Sequence, residues 1–444
     1  MLMPSGTAEG CVMHVVVCGA GPVGAMVALL LAAEGHQVTV LAQRPGLSSS
    51  ADSGTCEQTH TASDPLRKTE EPPLLLLPGA MLMAARELPD LARKLVSASA
   101  AVEGGTDLVA PRAVVSSVLR EELSQTDGIR LERGIGVASL LTGTERLPGR
   151  PHIQGVLTDT GQAVLADLVV DAGGRGSEMV KWLSEVGAPR PLEDRQDTGF
   201  RLYTRHFAAS ETRTGSARWS LHHFDSISVA LLSAGQGPWS MTLCISDEDL
   251  ELFPLAGPSA WSRAAGLYEP LLPRCSGSPL HGVWVTSRLD SCYRRFVIGG
   301  RPVATGTVSV GNAWAATNPL LGLGPSMGLL HAVLVRDAVR QGNAEDVVLR
   351  FDRLTEGLLT PLHHRITDWE ERLQTRDGGS PGSLPLEAHA PEALAGLGMG
   401  PAAGLARDLQ ARFSTLADSA GSSTRTGPSR TELVKALARS TIGI

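Results

Sequence analysis

Long apolar runs are missing from this chain. The longest candidates, residues 25–33 and 74–85, are about half of what a membrane-spanning helix needs, and the second contains Pro78 and Gly79. The first residues lack the basic start and apolar core of a secretory signal. No Lys/Arg block stands out and the formal charge is only −7, so neither a nucleic-acid nor a membrane surface is expected. The six cysteines (Cys11, Cys18, Cys56, Cys244, Cys275 and Cys292) form no CxxC pair and no metal-ligand spacing. Free buried thiols in a reducing cytoplasm are the expectation. Aromatic residues make up only 4% of the chain, and each tryptophan is placed first in the core.

Apolar residues at 42% and charged residues at 19% fit a globular protein, and 444 residues exceed the usual single domain. One large dinucleotide-binding domain with an attached second domain is therefore expected, and a small-molecule partner. Residues 14–18 are a β-branched run ending at Gly19, residues 25–33 read as a helix closed by Gly35, and residues 38–41 read as the next strand. Residues 46–73, rich in Ser, Thr, Pro and charge, predict a surface segment. Residues 80–96 carry helical spacing interrupted by Pro89, residues 113–123 suggest another helix, and residues 130–170 shift to short strands. From 200 to 298, strand-like runs at 227–232, 239–245 and 282–285 predict an antiparallel sheet. A glycine-rich loop and long helix follow within 303–340, with helix again over 345–374 and 430–440.

Gly19-Ala20-Gly21-Pro22-Val23-Gly24 has the GxGxxG spacing directly between the first strand and the first helix. Glycines are needed there for a tight turn, for close approach of a pyrophosphate to the backbone, and for helix-on-strand packing, with the helix N-terminus facing the phosphates. Gly19, Gly21 and Gly24 are the candidate phosphate-binding positions. The signature also calls for an acidic residue about 20 positions on, to bond a ribose. The aligned stretch, Leu41-Ala42-Gln43-Arg44, has no carboxylate. Gln43 could accept one hydrogen bond as a weaker substitute, and Arg44 reads as a surface arginine rather than a 2′-phosphate partner.

Two later segments decide between cofactors. Leu168 to Asp171, followed by Ala172-Gly173-Gly174-Arg175-Gly176-Ser177, resembles the mid-chain motif of the para-hydroxybenzoate hydroxylase superfamily. Gly311-Asn312-Ala313-Trp314 with Asn318-Pro319 and Gly322-Leu323-Gly324 resembles that superfamily's second FAD motif. The closer resemblance is to actinobacterial FAD-dependent oxidoreductases of secondary metabolism. It is carried by residues 199–207, by Tyr293-Arg294-Arg295-Phe296 and by residues 300–306. It implies an α/β fold: a Rossmann-type FAD-binding domain with an inserted antiparallel β-sheet substrate domain and a helical C-terminal region. The corresponding division is 12–195 with 286–345 for the dinucleotide-binding domain, 196–285 for the substrate domain and 346–444 for the helical region. The resemblance carries over Gly311, Asn312, Pro319, Gly322 and Gly324 as cofactor-binding, and Arg112 beside the cofactor, where an exposed helix-start arginine is the alternative.

Several positions depart from the pattern. Asn312 stands where an aspartate usually bonds the ribityl chain, although an amide can still bond a hydroxyl. Residue 325 is proline, which has no N–H to offer a flavin's pyrimidine edge, though it suits a helix start. Leu323 replaces an arginine common in the subgroup, residues 56–60 match the family only faintly, and the region 102–111 is shortened relative to the family, which would trim the substrate domain. His222-His223 and His363-His364 are adjacent pairs without further ligands at metal spacing, Asp167 and Asp171 read as strand-end residues, and no catalytic residue is assigned. Trp219, Trp239, Trp284 and Trp314 are candidates for lining an apolar pocket, with core packing as the alternative.

Two functions follow. One is FAD-dependent monooxygenation, with NADPH as the reductant, hydroxylating or epoxidising an apolar polyketide- or terpenoid-type molecule. The other is a non-redox cyclase, for example a [4+2] closure, on a flavoprotein scaffold whose FAD binding is weak or lost.

Overall fold

The computed structural model describes residues 12–43, 74–98, 108–197, 199–208, 219–224, 226–233, 238–272, 277–287, 289–340, 346–374, 400–421 and 427–438. The expected surface segment 46–73, with Cys11, Arg44, Cys56, Cys275 and most of the stretch 102–111, lies outside the described residues.

β1 (His14–Cys18) has three consecutive valines, Val15, Val16 and Val17, all at 0% exposure. A strand apolar on both faces belongs in the middle of a parallel sheet covered on both sides. α1 (Pro22–Ala33) follows, with Pro22 in its first turn and Gly35, at φ +85°, just beyond its end. Its residues Gly24 to Leu31 are buried all round, because the helix lies between the sheet and other helices. β2 (Gln37–Ala42) returns parallel to β1, with Leu41 beside Cys18. β3 (Leu74–Leu76), α2 (Pro78–Glu87), α3 (Pro89–Ala98), β4 (Leu108–Ala110) and α4 (Arg112–Gln125) lead to β5 (Ile129–Arg133) on the far side of β2. Pro89 starts a second helix instead of bending one through 80–96, since a proline cannot continue the hydrogen-bond ladder of the helix before it.

β6 (Val137–Leu147), β7 (Arg150–Thr158) and β8 (Ala163–Leu165) form an antiparallel meander. It packs, with α5 (Met179–Glu185), on the face of the parallel sheet opposite α1. Before α5, β9 (Leu168–Asp171) re-enters the parallel sheet beside β1. β10 (Leu192–Asp197) then leads to a five-stranded antiparallel sheet of β11 (Phe200–Phe207), β12 (Trp219–His223), β13 (Ser228–Ser233), β14 (Trp239–Ser246) and β15 (Trp284–Thr286), ordered β12-β13-β14-β11-β15. Between β14 and β15, within the span read as strand-rich, lies α6 (Pro258–Tyr268). Its buried residues Ala260, Trp261, Ala264, Ala265 and Tyr268 recur at helical spacing.

Period-two alternation sends the two faces of this second sheet to different cores. Tyr203, Val229 and Leu243 face α6 and the last helix, whereas Leu202, Trp219, Leu221, Ala230 and Cys244 join the main core shared with α1. The chain returns through β16 (Asp290–Arg295), β17 (Val297–Ile298) and β18 (Arg301–Pro302) to β19 (Thr307–Ser309), which completes the parallel order β19-β9-β1-β2-β5. β20 (Ala315–Ala316) pairs with β16. α7 (Gly324–Arg340), α8 (Val347–Leu358), α9 (Thr360–Gln374), α10 (Gly400–Gly421) and α11 (Arg430–Ala438) follow. Leu30, in the layer between β1 and α7, is 1% exposed. Leu30→Ala should lower unfolding stability by about 2–5 kcal/mol in urea titrations, the range for a cavity at a fully packed site.

Candidate functional site

The glycine turn sits at the C-terminal ends of β1 and β2, where Gly19 donates its N–H to the Leu41 carbonyl at 2.9 Å. Gly19 has φ +121°, and a Cβ there would meet the Ala172 carbonyl oxygen at 2.5 Å. A Cβ on Gly24 would collide with the Gly19 carbonyl oxygen and touch Ala172. Both glycines are thus required by close packing of turn, helix and β9. Gly21 differs: it caps α1 without a side-chain hydrogen bond, and a Cβ there would meet nothing within 4 Å. Gly324, at the start of α7, is equally open. Uncapped first-turn N–H groups beside an unobstructed glycine are what an anion needs.

The second motif meets the first through one side chain. Gly311, at φ +59°, would place a Cβ 3.1 Å from Val23 Cγ2, and Gly328 of α7 is pressed against the same methyl group. The 311–328 segment therefore lies directly on the first turn of α1. Two arginines hold it there, and Asp171 braces the strand ends beside it. Asp171, 1% exposed, accepts from Gly173 N at 3.0 Å and from the hydroxyls of Ser177 at 2.7 Å and Ser309 at 2.9 Å. Arg294 donates to the Ala313 carbonyl and to Glu193, each at 2.9 Å. Arg175 donates to the carbonyls of Asp290 and Thr317, each at 2.5 Å. Burial pushes the Asp171 carboxyl up, while its three donors and the Arg294 charge pull it down.

Beyond Thr317, the Asn318 side chain accepts from Leu320 N at 3.0 Å and starts the short turn Pro319–Leu321. Gly322, at φ +66°, leaves room for only a hydrogen between Leu75 of β3, 3.0 Å from a built Cβ, and Trp219 of β12, 3.6 Å away. The loop thus touches both the parallel-sheet domain and the antiparallel sheet. Leu323 is 1% exposed and packs inward, Pro325 lies in the first turn of α7, and Asn312 is exposed. Gln43 is exposed just past β2, and Arg112 begins α4, which packs on α1.

Sequence reasoning did not find Glu370. It lies on α9, 2% exposed, and neither carboxylate oxygen has a hydrogen bond of good geometry. Burial raises its pKa to about 7; the Ser291 hydroxyl, the Asn318 N–H and the Arg175 charge lie near enough to draw it down but do not neutralise that effect. On the same helix face, two turns earlier, His363 is 2% exposed and held neutral by burial, its pKa lowered to about 4. Helical period alone cannot tell such residues from solvated ones in a segment this polar. Asp171 likewise does more than end a strand, because one of its seryl partners, Ser309, is distant in sequence.

Trp219, Trp239 and Trp314 are buried, Trp239 stacked on Phe207 and Trp314 edge-on to Tyr293, while Trp284 is half-buried. Cys18, Cys244 and Cys292 are buried free thiols. His222 and His223 point to opposite faces of β12, as alternation demands. Among the described residues no three His, Cys, Asp or Glu side chains are placed to hold a metal ion, and no helix is long and apolar enough to cross a membrane. A cleft of about 580 Å³ runs along the meander face of β2 and β5, lined by His14, Thr39, Leu41, Arg130, Glu132 and Thr158 among others. It lies on the face of the sheet away from α1, so it is not the phosphate groove.

Residues 14–175 match the model of the FAD dependent oxidoreductase (DAO) family. The protein Rv3254 of Mycobacterium tuberculosis is 27% identical over 272 residues, which take in 55% of this chain and 53% of that protein, so the match spans about half of its length. The crystal structure of PqsL, a probable FAD-dependent monooxygenase from Pseudomonas aeruginosa, superposes with a TM-score of 0.56 at 15% identity, covering 82% of this chain and 96% of that one. CtdE in complex with FAD gives a TM-score of 0.54 at 14% identity over 92% of this chain and all of that one (100%). The fold is therefore that of FAD-dependent monooxygenases: a Rossmann-like parallel sheet with added antiparallel sheets and helices.

Glu370 makes a pH prediction with a definite sign. An acid whose folded pKa lies above its unfolded value is fully tolerated only when protonated, so its burden on stability grows as pH rises from about 4.5 to about 7. His363 acts in the opposite sense, its neutral form being favoured as pH rises from about 4 to 6.5. Comparing wild type with Glu370→Gln isolates the acid. The variant should gain about 3 kcal/mol over wild type between pH 4.5 and pH 8 in denaturant titrations, and a constant gap would show Glu370 titrating normally.

Proposed function

We propose that this chain is an FAD-dependent oxidoreductase of the para-hydroxybenzoate hydroxylase type, close to actinobacterial enzymes of secondary metabolism, hydroxylating or epoxidising an apolar polyketide- or terpenoid-type molecule. The observation that supports the reading is the junction at Val23, where Gly311 and Gly328 pack on the first turn of α1 beside the glycine turn. The residues present fit FAD. Gly19, Gly21 and Gly24 with the N-terminus of α1 would take the pyrophosphate, Asn312 would bond the ribityl chain, and Gly311, Pro319, Gly322 and Gly324 would complete the cofactor site. Gln43 and Arg112 stand at the adenosine end and beside the cofactor.

Bound FAD, reduced by NADPH, supplies the activation of dioxygen. The chain's own task is to orient, to exclude water and to manage protons. Leu202, Trp219, Leu221 and Ala230 give the second sheet an apolar inner face that belongs to the main core. Glu370 is the group near the Asn318 loop able to hold or release a proton at its carboxyl oxygens near neutral pH. In this reading residues 12–195 and 286–345 bind FAD, 196–285 cover it, and 346–444 close the site, in a cytoplasmic enzyme.

A second reading draws on Pro325, which withholds an N–H from the start of α7, and on Asn312 and Leu323: cyclisation of a polyketide on the same scaffold with FAD weak or absent. Purified protein should be yellow and bleach on addition of NADPH, and Asn312→Asp should tighten FAD by about tenfold through a charged hydrogen bond to a hydroxyl. Colourless protein that still closes rings in an apolar polyene or polyketide would replace the first reading with the second.

A further inference from the structure

The end of β2 offers Ala42 and Gln43 where a dinucleotide site has its ribose-binding carboxylate. A carboxylate from another part of the chain lies close to Gln43. Gly134 donates its N–H to the Ala42 carbonyl at 2.7 Å, so the segment after β5 runs directly across the end of β2. Asp159, in the turn between β7 and β8, donates its own N–H to the Gly136 carbonyl at 3.0 Å. Its Oδ2 lies 2.9 Å from where a Cβ on Gly136 would stand, and the next atoms around that point are Gln43 Cγ at 3.2 Å and Cδ at 3.3 Å. Gly136 thus lacks a side chain where those of Asp159 and Gln43 come together.

An aspartate in a surface turn is ordinarily there to bond its own backbone. Here Thr158 does that work. It is 2% exposed, and its Oγ1 accepts from Gln162 N at 2.9 Å and contacts Thr160 Oγ1 at 2.9 Å. Its N–H donates to the Gln162 carbonyl at 2.9 Å, and its carbonyl accepts from Gly161 N at 3.0 Å. The turn is fixed without Asp159, and among the described residues the Asp159 carboxylate makes no ion pair and no side-chain hydrogen bond. A carboxylate held on a rigid turn, beside an amide, over the end of the second strand has the chemistry that accepts a ribose hydroxyl.

We propose that Asp159 supplies, from the β7–β8 turn, the carboxylate that binds the adenosine ribose of the dinucleotide, with Gln43 as its neighbour. The proposal rests on the FAD reading of the groove and adds a selectivity: a ligand with a 2′-phosphate meets like charge there and is rejected. ADP, FAD, FMN and adenosine 2′,5′-bisphosphate are the probes, with binding read by calorimetry and flavin fluorescence. Asp159→Asn and Asp159→Ser should each weaken ADP and FAD by about 10- to 100-fold and leave FMN, which has no adenosine, unchanged. Their nucleotide-free melting temperatures should match wild type, and Ala42→Glu placed in the Asp159→Asn background should recover much of the lost affinity. Unchanged ADP and FAD affinity in both variants overturns the proposal while leaving the FAD reading intact. Wild type that binds ADP through Asp159 but takes no FAD upholds the proposal and removes the FAD reading; wild type that binds neither ADP nor FAD removes both.

Discussion

Asp171 ties together the ends of β9 and β19 and the turn after β9. It stands in register with Cys18 of β1 on one side and Ser309 of β19 on the other, and its oxygens accept from Gly173, Ser177 and Ser309. A charge removed from water is tolerable only when its oxygens are so engaged. Its backbone carbonyl also takes the N–H of Val310 at 2.9 Å, immediately before the Gly311 turn, and Ala172 next to it closes over Gly19. The Gly19 and Gly311 turns are therefore referenced to the same few atoms. Neither could shift without the other.

Arginines extend that anchoring outward. Arg294 fixes the carbonyl after Asn312 and Arg175 the carbonyl before Asn318, so guanidinium groups hold the loop between β19 and α7 on either side of the short β20–β16 ladder. This is how a loop with little regular structure can keep a defined shape against Trp219 of the second sheet. Division of labour follows: the parallel sheet sets the position of the loop, and the antiparallel sheet shapes what lies above it.

Much of this was legible in the residues. The valines of β1, the glycine spacing and the long helix from Gly324 each follow from local rules, and the structure puts β1, α1, β2, β9, β19 and α7 where those rules predict. The less legible features depend on residues far apart in sequence. Pro89 reads as an interruption until the partners of α3 are known, and α6 is hidden in a strand-rich span because its eleven residues give few helical periods. Glu370 looks like a surface acid because nothing near it in sequence reports that Asn318, Ser291 and Arg175 enclose it, and Asp159, which is exposed, gives no sign in sequence that it lies over Gly136. Missing motif residues mislead in the same way: an absent carboxylate at Ala42 says nothing about a carboxylate delivered from elsewhere in three dimensions.

Leu323 limits what its position can hold. With 1% of its surface exposed and the main core around it, it has become part of the packing that joins α7 to the rest of the domain. A guanidinium introduced there now would be stranded in hydrocarbon at a cost of several kcal/mol. The position therefore accepts apolar side chains of similar volume and excludes charge, so the start of α7 is set by packing rather than by an ion pair.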